Sequence, residues 1–426
     1  MDSHTQNYAV RARYVFPVER PPLADGVVVI RRGIIIDVTT IPSHGCRLFE
    51  LGNVALLPGL VNAHVHLDFS QFATPIGQPG IAFAEWLDLA IGQRREAADV
   101  DLAADQRKAI LAGLRESRRH GTTMLANITR HEDRKPTLAR ELDGWALLEL
   151  IGLSVERAEA QRRKLAGWLD TAVQRAVKKN GLWLPGISPH APYTVRKELV
   201  EAACAASRRH RMPVAMHLAE SRDEMELLDR QSGPLVDVLR RWDAWDASAF
   251  EPGMKPRDYL NILAEADRAL VIHGNYLDAS DRCWLAAHAD RMAVVYCPRT
   301  HHYFGHPRYP LEELLTAGVS VALGTDGRGT NPDLSLLAEM RHVARTHPGV
   351  PQDSIVRLGT LGGAAALGCA DRVGSLASGK DATFVAIGLP DRDDADPYSL
   401  LLQAETDVKV TVYRGRMAYP RTRMIQ

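Results

Sequence analysis

Polar side chains of a few chemically versatile types stand at the ends of short apolar runs in this chain. His64 and His66 close the run that begins at Leu56, with a single residue between them. Residues two apart on an extended strand point to the same side, so both imidazoles can grip one ion. His217 follows Val214-Ala215-Met216, and His273 follows Ala269-Leu270-Val271-Ile272. Asp326 sits in Gly324-Thr325-Asp326-Gly327, just beyond Val319-Ser320-Val321-Ala322-Leu323. Glu220 lies three residues past His217, where a strand gives way to a loop. Imidazole and carboxylate donors suit Zn²⁺ or Fe²⁺. An ion so held lowers the pKa of water toward neutrality, the chemistry of metal-assisted hydrolysis. Taken singly the signals are weak, since strand-end histidines are commonly structural and Asp-Gly is a common turn pair. Their recurrence at successive strand ends carries the weight, because in a barrel such ends converge on one face.

The elements that must position these residues alternate along the middle of the chain. Apolar strands are expected at Leu56–Ala63, Thr122–Ala126, Trp145–Leu153 and Leu182–Ile187, then at Val214–His217, Ala269–His273, Met292–Tyr296 and Val319–Gly324. Amphipathic helices separate them, as at Asp101–His120 and Thr194–His210. Eight strand–helix units predict an α/β fold with a TIM-type (β/α)8 barrel over residues 57–369. A further helix is expected after strand eight, capped by Asn331 with Pro332 at its first position. The two ends read differently. Val10–Phe16, Val27–Ile30 and Ile34–Ile36 near one end, and Ala382–Ile387 and Val408–Tyr413 near the other, are strand-like, with turn signals at Arg32-Gly33 and Arg414-Gly415. Residues 1–56 and 370–426 are therefore expected to form one small discontinuous β-sandwich. An insertion at Ser232–Tyr259, with Trp242, Trp245, Phe250 and Pro252-Gly253, interrupts the spacing. It reads as a lid over the barrel mouth, the alternative being a surface elaboration that packs on itself.

Composition excludes several other classes. The chain has 426 residues, 52 Lys+Arg against 52 Asp+Glu, and 46% hydrophobic residues. A balanced charge argues against nucleic acid or an anionic membrane as partner. Cys46, Cys204, Cys283, Cys297 and Cys369 are odd in number and widely spaced, which excludes a disulfide framework and suits a reducing compartment. The polar start Met1–Asn7 has no apolar signal core, and no run is long enough to span a bilayer. A cytoplasmic protein acting on a small molecule is expected, as a homodimer.

Four segments resemble the amidohydrolase superfamily of metal-dependent hydrolases, in its aminohydrolase (deaminase) branch. They are Pro58-Gly59-Leu60-Val61-Asn62-Ala63-His64-Val65-His66, His217-Leu218-Ala219-Glu220, Ile272-His273-Gly274 and Gly324-Thr325-Asp326-Gly327. The resemblance implies one divalent ion, Zn²⁺ or Fe²⁺, bound by His64, His66, His217 and Asp326. It places His273 beside the attacking water, makes Glu220 the proton shuttle and lets Asp326 take the water proton. The related two-metal enzymes need a carboxylated Lys ending strand four. Strand four holds none, since Lys178 and Lys179 precede it and Lys197 follows in the next helix.

Ser188-Pro189-His190-Ala191-Pro192-Tyr193-Thr194 is similar to a segment of deaminases acting on S-adenosylhomocysteine, methylthioadenosine and aminodeoxyfutalosine. There His190 would contact substrate. His66-Leu67-Asp68-Phe69-Ser70 with Phe83-Ala84-Glu85-Trp86-Leu87 resembles the strand-one loop of the aminodeoxyfutalosine deaminases of menaquinone biosynthesis. So do Cys297-Pro298-Arg299-Thr300, Tyr303-Phe304-Gly305 and Asn331–Ser335 for the later loops. Asp68 and Trp86 thereby become candidate substrate contacts. Arg299 could grip a substrate carboxylate through its planar fork or form an ion pair at the rim. Asp68 stands where those enzymes usually carry Glu, Arg328 adds a charge near the mouth, and His301, His302 and His306 form an unusual cluster. The expected activity is hydrolytic deamination of an adenosine-like nucleoside, aminodeoxyfutalosine first. A triazine-type hydrolase with the same site and a non-catalytic binding protein on the same barrel are the alternatives.

Overall fold

The structure is a computed structural model that describes residues 7–41, 46–96, 102–130, 142–178, 183–392, 396–403 and 406–420. Met1–Gln6, Asp101, Lys179 and Leu182, which figured in the sequence reading, lie outside them.

The strands expected through the middle form one parallel sheet of the TIM type. Its members are strand one (Leu60–His66), two (Thr122–Thr129), three (Asp143–Leu150), four (Trp183–Pro189), five (Pro213–Leu218), six (Arg268–His273) and seven (Met292–Tyr296). Strand eight is split into Val321–Leu323 and Asp326–Gly327. The first half pairs with strand seven and the second with strand one, so the sheet curls back on itself. Gly324, at the break, passes so close to strand one that a β-carbon there would lie 2.9 Å from His64 Cβ. Only glycine fits where the two ends of the sheet meet.

Helices cover this sheet. Leu102–Arg119 and Lys197–His210 fall near the expected ranges. The helix after strand eight begins later than expected. Ser335, not Asn331, is its N-cap, accepting the Ala338 amide, and the helix runs Leu336–Thr346. The Asn331 side chain is buried and instead donates to the Thr325 carbonyl and the Thr300 hydroxyl. The insertion is not a long loop. It carries the helices Pro234–Arg241 and Pro256–Leu263, each with Pro in its first turn, and a short 3-10 turn between them.

Both β-rich ends join one six-stranded sheet, in the order Arg416–Tyr419, Val408–Tyr413, Phe384–Gly388, Val54–Pro58, Tyr14–Val15 and Leu23–Ala24. A four-stranded sheet comprises Ile34–Thr39, Val27–Arg31, Asn7–Arg11 and Arg47–Glu50. Apolar residues of both, among them Val10, Ile30, Ile35, Leu56 and Phe384, share one buried cluster. Two expectations are corrected here. Val10–Phe16 is not one strand, because the chain crosses between the sheets at Ala12-Arg13. Leu56-Leu57-Pro58 belongs to the six-stranded sheet rather than to barrel strand one, so that sheet crosses the boundary expected at 56/57. The turns Arg32-Gly33 and Arg414-Gly415 have positive φ at both residues, as two-residue hairpins with right-handed twist require. No described helix is long and apolar enough to cross a membrane.

Candidate metal centre and active site

Strand ends bring His64, His66, His217, His273 and Asp326 together. The His64 and His66 rings stand 4.8 Å apart and the His64 and His217 rings 5.0 Å. Ligand atoms of His64, His66 and His217 all lie within 4.8 Å of one another. Asp326 Oδ1 is 3.4 Å from His64 Nε2 and 3.7 Å from His66 Nε2. Asp326 takes a left-handed backbone conformation, φ 54°, and so does His273, φ 67°. Non-glycine residues in that region are uncommon and are held there by their surroundings.

Hydrogen bonds select the ring nitrogens that face the centre. His217 Nδ1 meets the His190 carbonyl at 2.9 Å. A carbonyl only accepts, so Nδ1 carries the proton and Nε2 presents a lone pair. That Nε2 is 3.2 Å from His66 Nε2. Both nitrogens of His64 are buried without a hydrogen-bond partner. Burial pushes His66 down to about 4 and, foremost among several causes, holds His217 well below the ordinary histidine range. Neutral imidazoles aiming lone pairs at one point, with a carboxylate beside them, fit a divalent cation.

Glu220 and His273 face each other beside this cluster. His273 Nε2 is 3.3 Å from Glu220 Oε1, and both residues are buried. Burial, then the charges of Asp326 and Glu224, raise the Glu220 carboxyl well above its usual range. His273 is pushed down to about 3, chiefly by burial, and is neutral.

The centre opens into a cavity of about 440 Å³. His66, His217, Glu220, His273 and Asp326 line it, as do the expected contacts His190 and Trp86. Trp86 is fixed by its Nε1, which donates to the Gly329 carbonyl at 3.1 Å. Leu239, Trp242 and Ala244 of the insertion also line the cavity, and Trp242 Nε1 donates to Asp88 at 2.7 Å. Trp245 instead stacks on Phe250, so the insertion both walls the cavity and packs on itself.

Other expected contacts are placed elsewhere. Arg299 is not among the lining residues. Its fork is taken by Glu339, at 2.7 Å, and Asp333, at 2.8 Å, which is an ion pair as in one of the two readings, and the expected contact with a substrate carboxylate finds no support in this geometry. Asp68 sits on the 3-10 turn Leu67–Gln71 and does not line the cavity. Its charge acts on Arg130, which does. Arg328 binds Glu116 and the Phe72 and Ala73 carbonyls. The His301–His306 cluster also lies off the cavity: His306 bonds the Tyr276 hydroxyl, and His301 packs against Tyr296 and Tyr309.

Sequence reading missed several residues. Arg130, paired with Glu149, and Arg157 line the cavity. Asn62 accepts the Thr325 and His64 amides and donates to the Thr325 hydroxyl, tying strand eight to strand one. Its place two residues before His64, on the same side of the strand, was the available signal.

Known proteins share this architecture. The chain is 26% identical over 431 residues to a 5-methylthioadenosine/S-adenosylhomocysteine deaminase of Moorella thermoacetica, covering 96% of this chain and 92% of that one. It is 28% identical over 332 residues to an aminodeoxyfutalosine deaminase of Deinococcus radiodurans, covering 75% of each. The solved Helicobacter pylori aminofutalosine deaminase, in complex with methylthio-coformycin, superposes with a TM-score of 0.80 at 20% identity, covering 96% of this chain and 99% of that one. Residues 55–417 match the amidohydrolase family across most of the chain, and this protein belongs to that family of hydrolases acting on carbon–nitrogen bonds.

Proposed function

We propose that the protein deaminates an adenosine-like nucleoside hydrolytically, with His64, His66, His217 and Asp326 holding one Zn²⁺ or Fe²⁺. The observation that carries this reading is the pairing of that donor set with a buried carboxyl, Glu220, at the same end of one cavity. When bound, the ion supplies a Lewis acid that makes water ionisable near neutral pH. Asp326 accepts the proton that the water loses. Burial raises the Glu220 carboxyl and favours its protonated form, which delivers its proton to a purine ring nitrogen. Now ionised, Glu220 takes the proton of the tetrahedral hydroxyl as the carbonyl forms and passes it to the departing amine, and the proton held by Asp326 restores Glu220 as ammonia leaves. Neutral His273 orients the incoming oxygen and stabilises it on the tetrahedral ring carbon. His190 and the Trp86 ring bound the space for the base.

The lining supports a particular tail. Phe83, Leu87, Ile91 and Trp242 are apolar, Arg130 is paired with the buried Glu149, and half-exposed Arg157 adds positive charge. This mixture suits a 5′ substituent with an aromatic or apolar body and a carboxylate, as in 6-amino-6-deoxyfutalosine, ahead of S-adenosylhomocysteine and methylthioadenosine. The relatives named for those deaminations support the same class. The test is ammonia release and the adenine-to-hypoxanthine absorbance change across a nucleoside panel. Metal-loaded protein that turns over no member overturns the reading.

A further inference from the structure

Ala219 and Glu220 make the step from strand five to the helix Arg222–Arg230, and every backbone polar group of this step is held. The Ala219 and Glu220 amides donate to the two carboxylate oxygens of Glu224, at 2.7 and 2.9 Å. The Glu220 carbonyl accepts from Asn275 Nδ2 at 2.8 Å, and the Ala219 carbonyl from the Tyr276 amide at 3.0 Å. Glu224 is fully buried. Ala219 is at φ 54°, a left-handed conformation that alanine does not take without support.

The arrangement goes beyond ordinary helix capping. Ser221 is the N-cap and accepts the Glu224 amide at 3.1 Å. An acidic residue at this third position of a helix commonly returns to the cap's own amide. Here the carboxylate interacts with the cap's amide and also reaches beyond it, to the amides of the two residues before. Burial raises Glu224 to about 7 against the pull of those amides, so a carboxyl group is kept where its surroundings disfavour charge. Helix capping alone needs no such group, since Ser221 already caps. The amides of the Glu220 step do.

We propose that Glu224 and Asn275 are positioning residues that clamp the Ala219-Glu220 step and so aim the Glu220 carboxyl at the reacting base. This rests on the reading of Glu220 as the proton shuttle. Glu224→Gln keeps shape but offers one acceptor oxygen, and its NH₂ faces an amide donor. Asn275→Ala removes the donor to the Glu220 carbonyl. A misplacement of about 1 Å at a reacting group costs on the order of 10²-fold, and the ceiling is the loss in Glu220→Gln.

The experiment compares wild type, Glu224→Gln, Asn275→Ala and each combined with Glu220→Gln, all metal-loaded. Expected are unchanged metal content, KM within about twofold, and kcat lowered about 10- to 100-fold. In the Glu220→Gln background neither variant should lower the residual kcat further. Hydrogen–deuterium exchange of the peptide containing Ala219 and Glu220 should accelerate. Unchanged exchange overturns the clamp even if no nucleoside is turned over, which separates its failure from failure of the proposed reaction. An active wild type with undiminished kcat in Glu224→Gln overturns the positioning role. So does an equal further loss in the Glu220→Gln background. If Glu224→Gln does not fold, Asn275→Ala carries the same readouts.

Discussion

Replacing Arg299 by Met separates a role in substrate binding from a role in the fold. Arg299 meets Glu339 Oε1 at 2.7 Å and Asp333 Oδ1 at 2.8 Å, and its amide donates to Glu339 Oε2 at 2.9 Å. The Glu339 side chain is fully buried, whereas a third of the Asp333 side chain is exposed. The cost of losing the guanidinium therefore falls on Glu339, because solvent screens Asp333. Breaking a buried pair from one side costs about 3–5 kcal/mol, mostly from the charge left behind. Burial already raises Glu339 to about 7 with Arg299 pulling it down, and without Arg299 it rises further. A carboxyl raised in the folded state loses stability as pH climbs from its unfolded value through its folded one. The penalty should thus be greatest near pH 8 and shrink toward about pH 5. Urea denaturation of wild type, Arg299→Met and Arg299→Met/Glu339→Gln measures it, and the double variant should recover most of the loss. Steady-state kinetics should show KM for carboxylate-bearing and neutral nucleosides shifting by the same factor. A tenfold selective rise for the anionic substrate, about 1.4 kcal/mol, with stability unchanged would refute the assignment.

Three further outcomes follow from the geometry. His66→Ala should bind far less metal than wild type by elemental analysis and lose the thermal stabilisation that added Zn²⁺ confers, and undiminished metal content would remove His66 from the donor set. Trp242→Ala should raise KM about tenfold for nucleosides with a bulky 5′ tail while leaving 5′-deoxyadenosine nearly unaffected, since Trp242 comes from the insertion and lines the cavity beside apolar side chains; equal effects on both would contradict a contact with the tail. His301 is pushed down to about 3, chiefly by burial, so the unfolded chain takes up its proton near pH 6.5 while the folded protein refuses it. That stability is present above about pH 6.5 and is lost as pH falls toward about 3; His301→Gln should flatten the dependence of unfolding free energy on pH by about 1.4 kcal/mol per unit between about pH 6 and 4, and equal slopes in urea titrations would show that His301 titrates normally.

Much of the site was legible because its signals are local. The spacing of His64 and His66 fixes their common direction on any strand, and the rings do stand side by side. Apolar runs punctuated by glycine and by polar termini gave the order of the barrel strands. Boundaries were less legible. Val54–Pro58 and Leu60–His66 read as one run, yet they enter different sheets on either side of Gly59. A β-carbon at Gly59 would strike the Thr123 side chain, a contact with strand two that no local pattern displays.

By itself, then, the chain determined which residue types end which strands, and with them a candidate donor set and the carbon–nitrogen hydrolase class. Partner choice was decided only in three dimensions. Arg299 has a fork suited to any carboxylate, and folding delivered those of Glu339 and Asp333 before a ligand could arrive. Arg130 and Arg157 carry no motif, and folding set them at the cavity. Glu224 looks like an ordinary first-turn acid, and only the bend at Ala219 turns two amides toward it. The physical reason is common to all three. Side-chain direction follows from backbone period within one element, but the strength of a charge or hydrogen bond depends on distance and burial. Those are set by segments far apart in the chain.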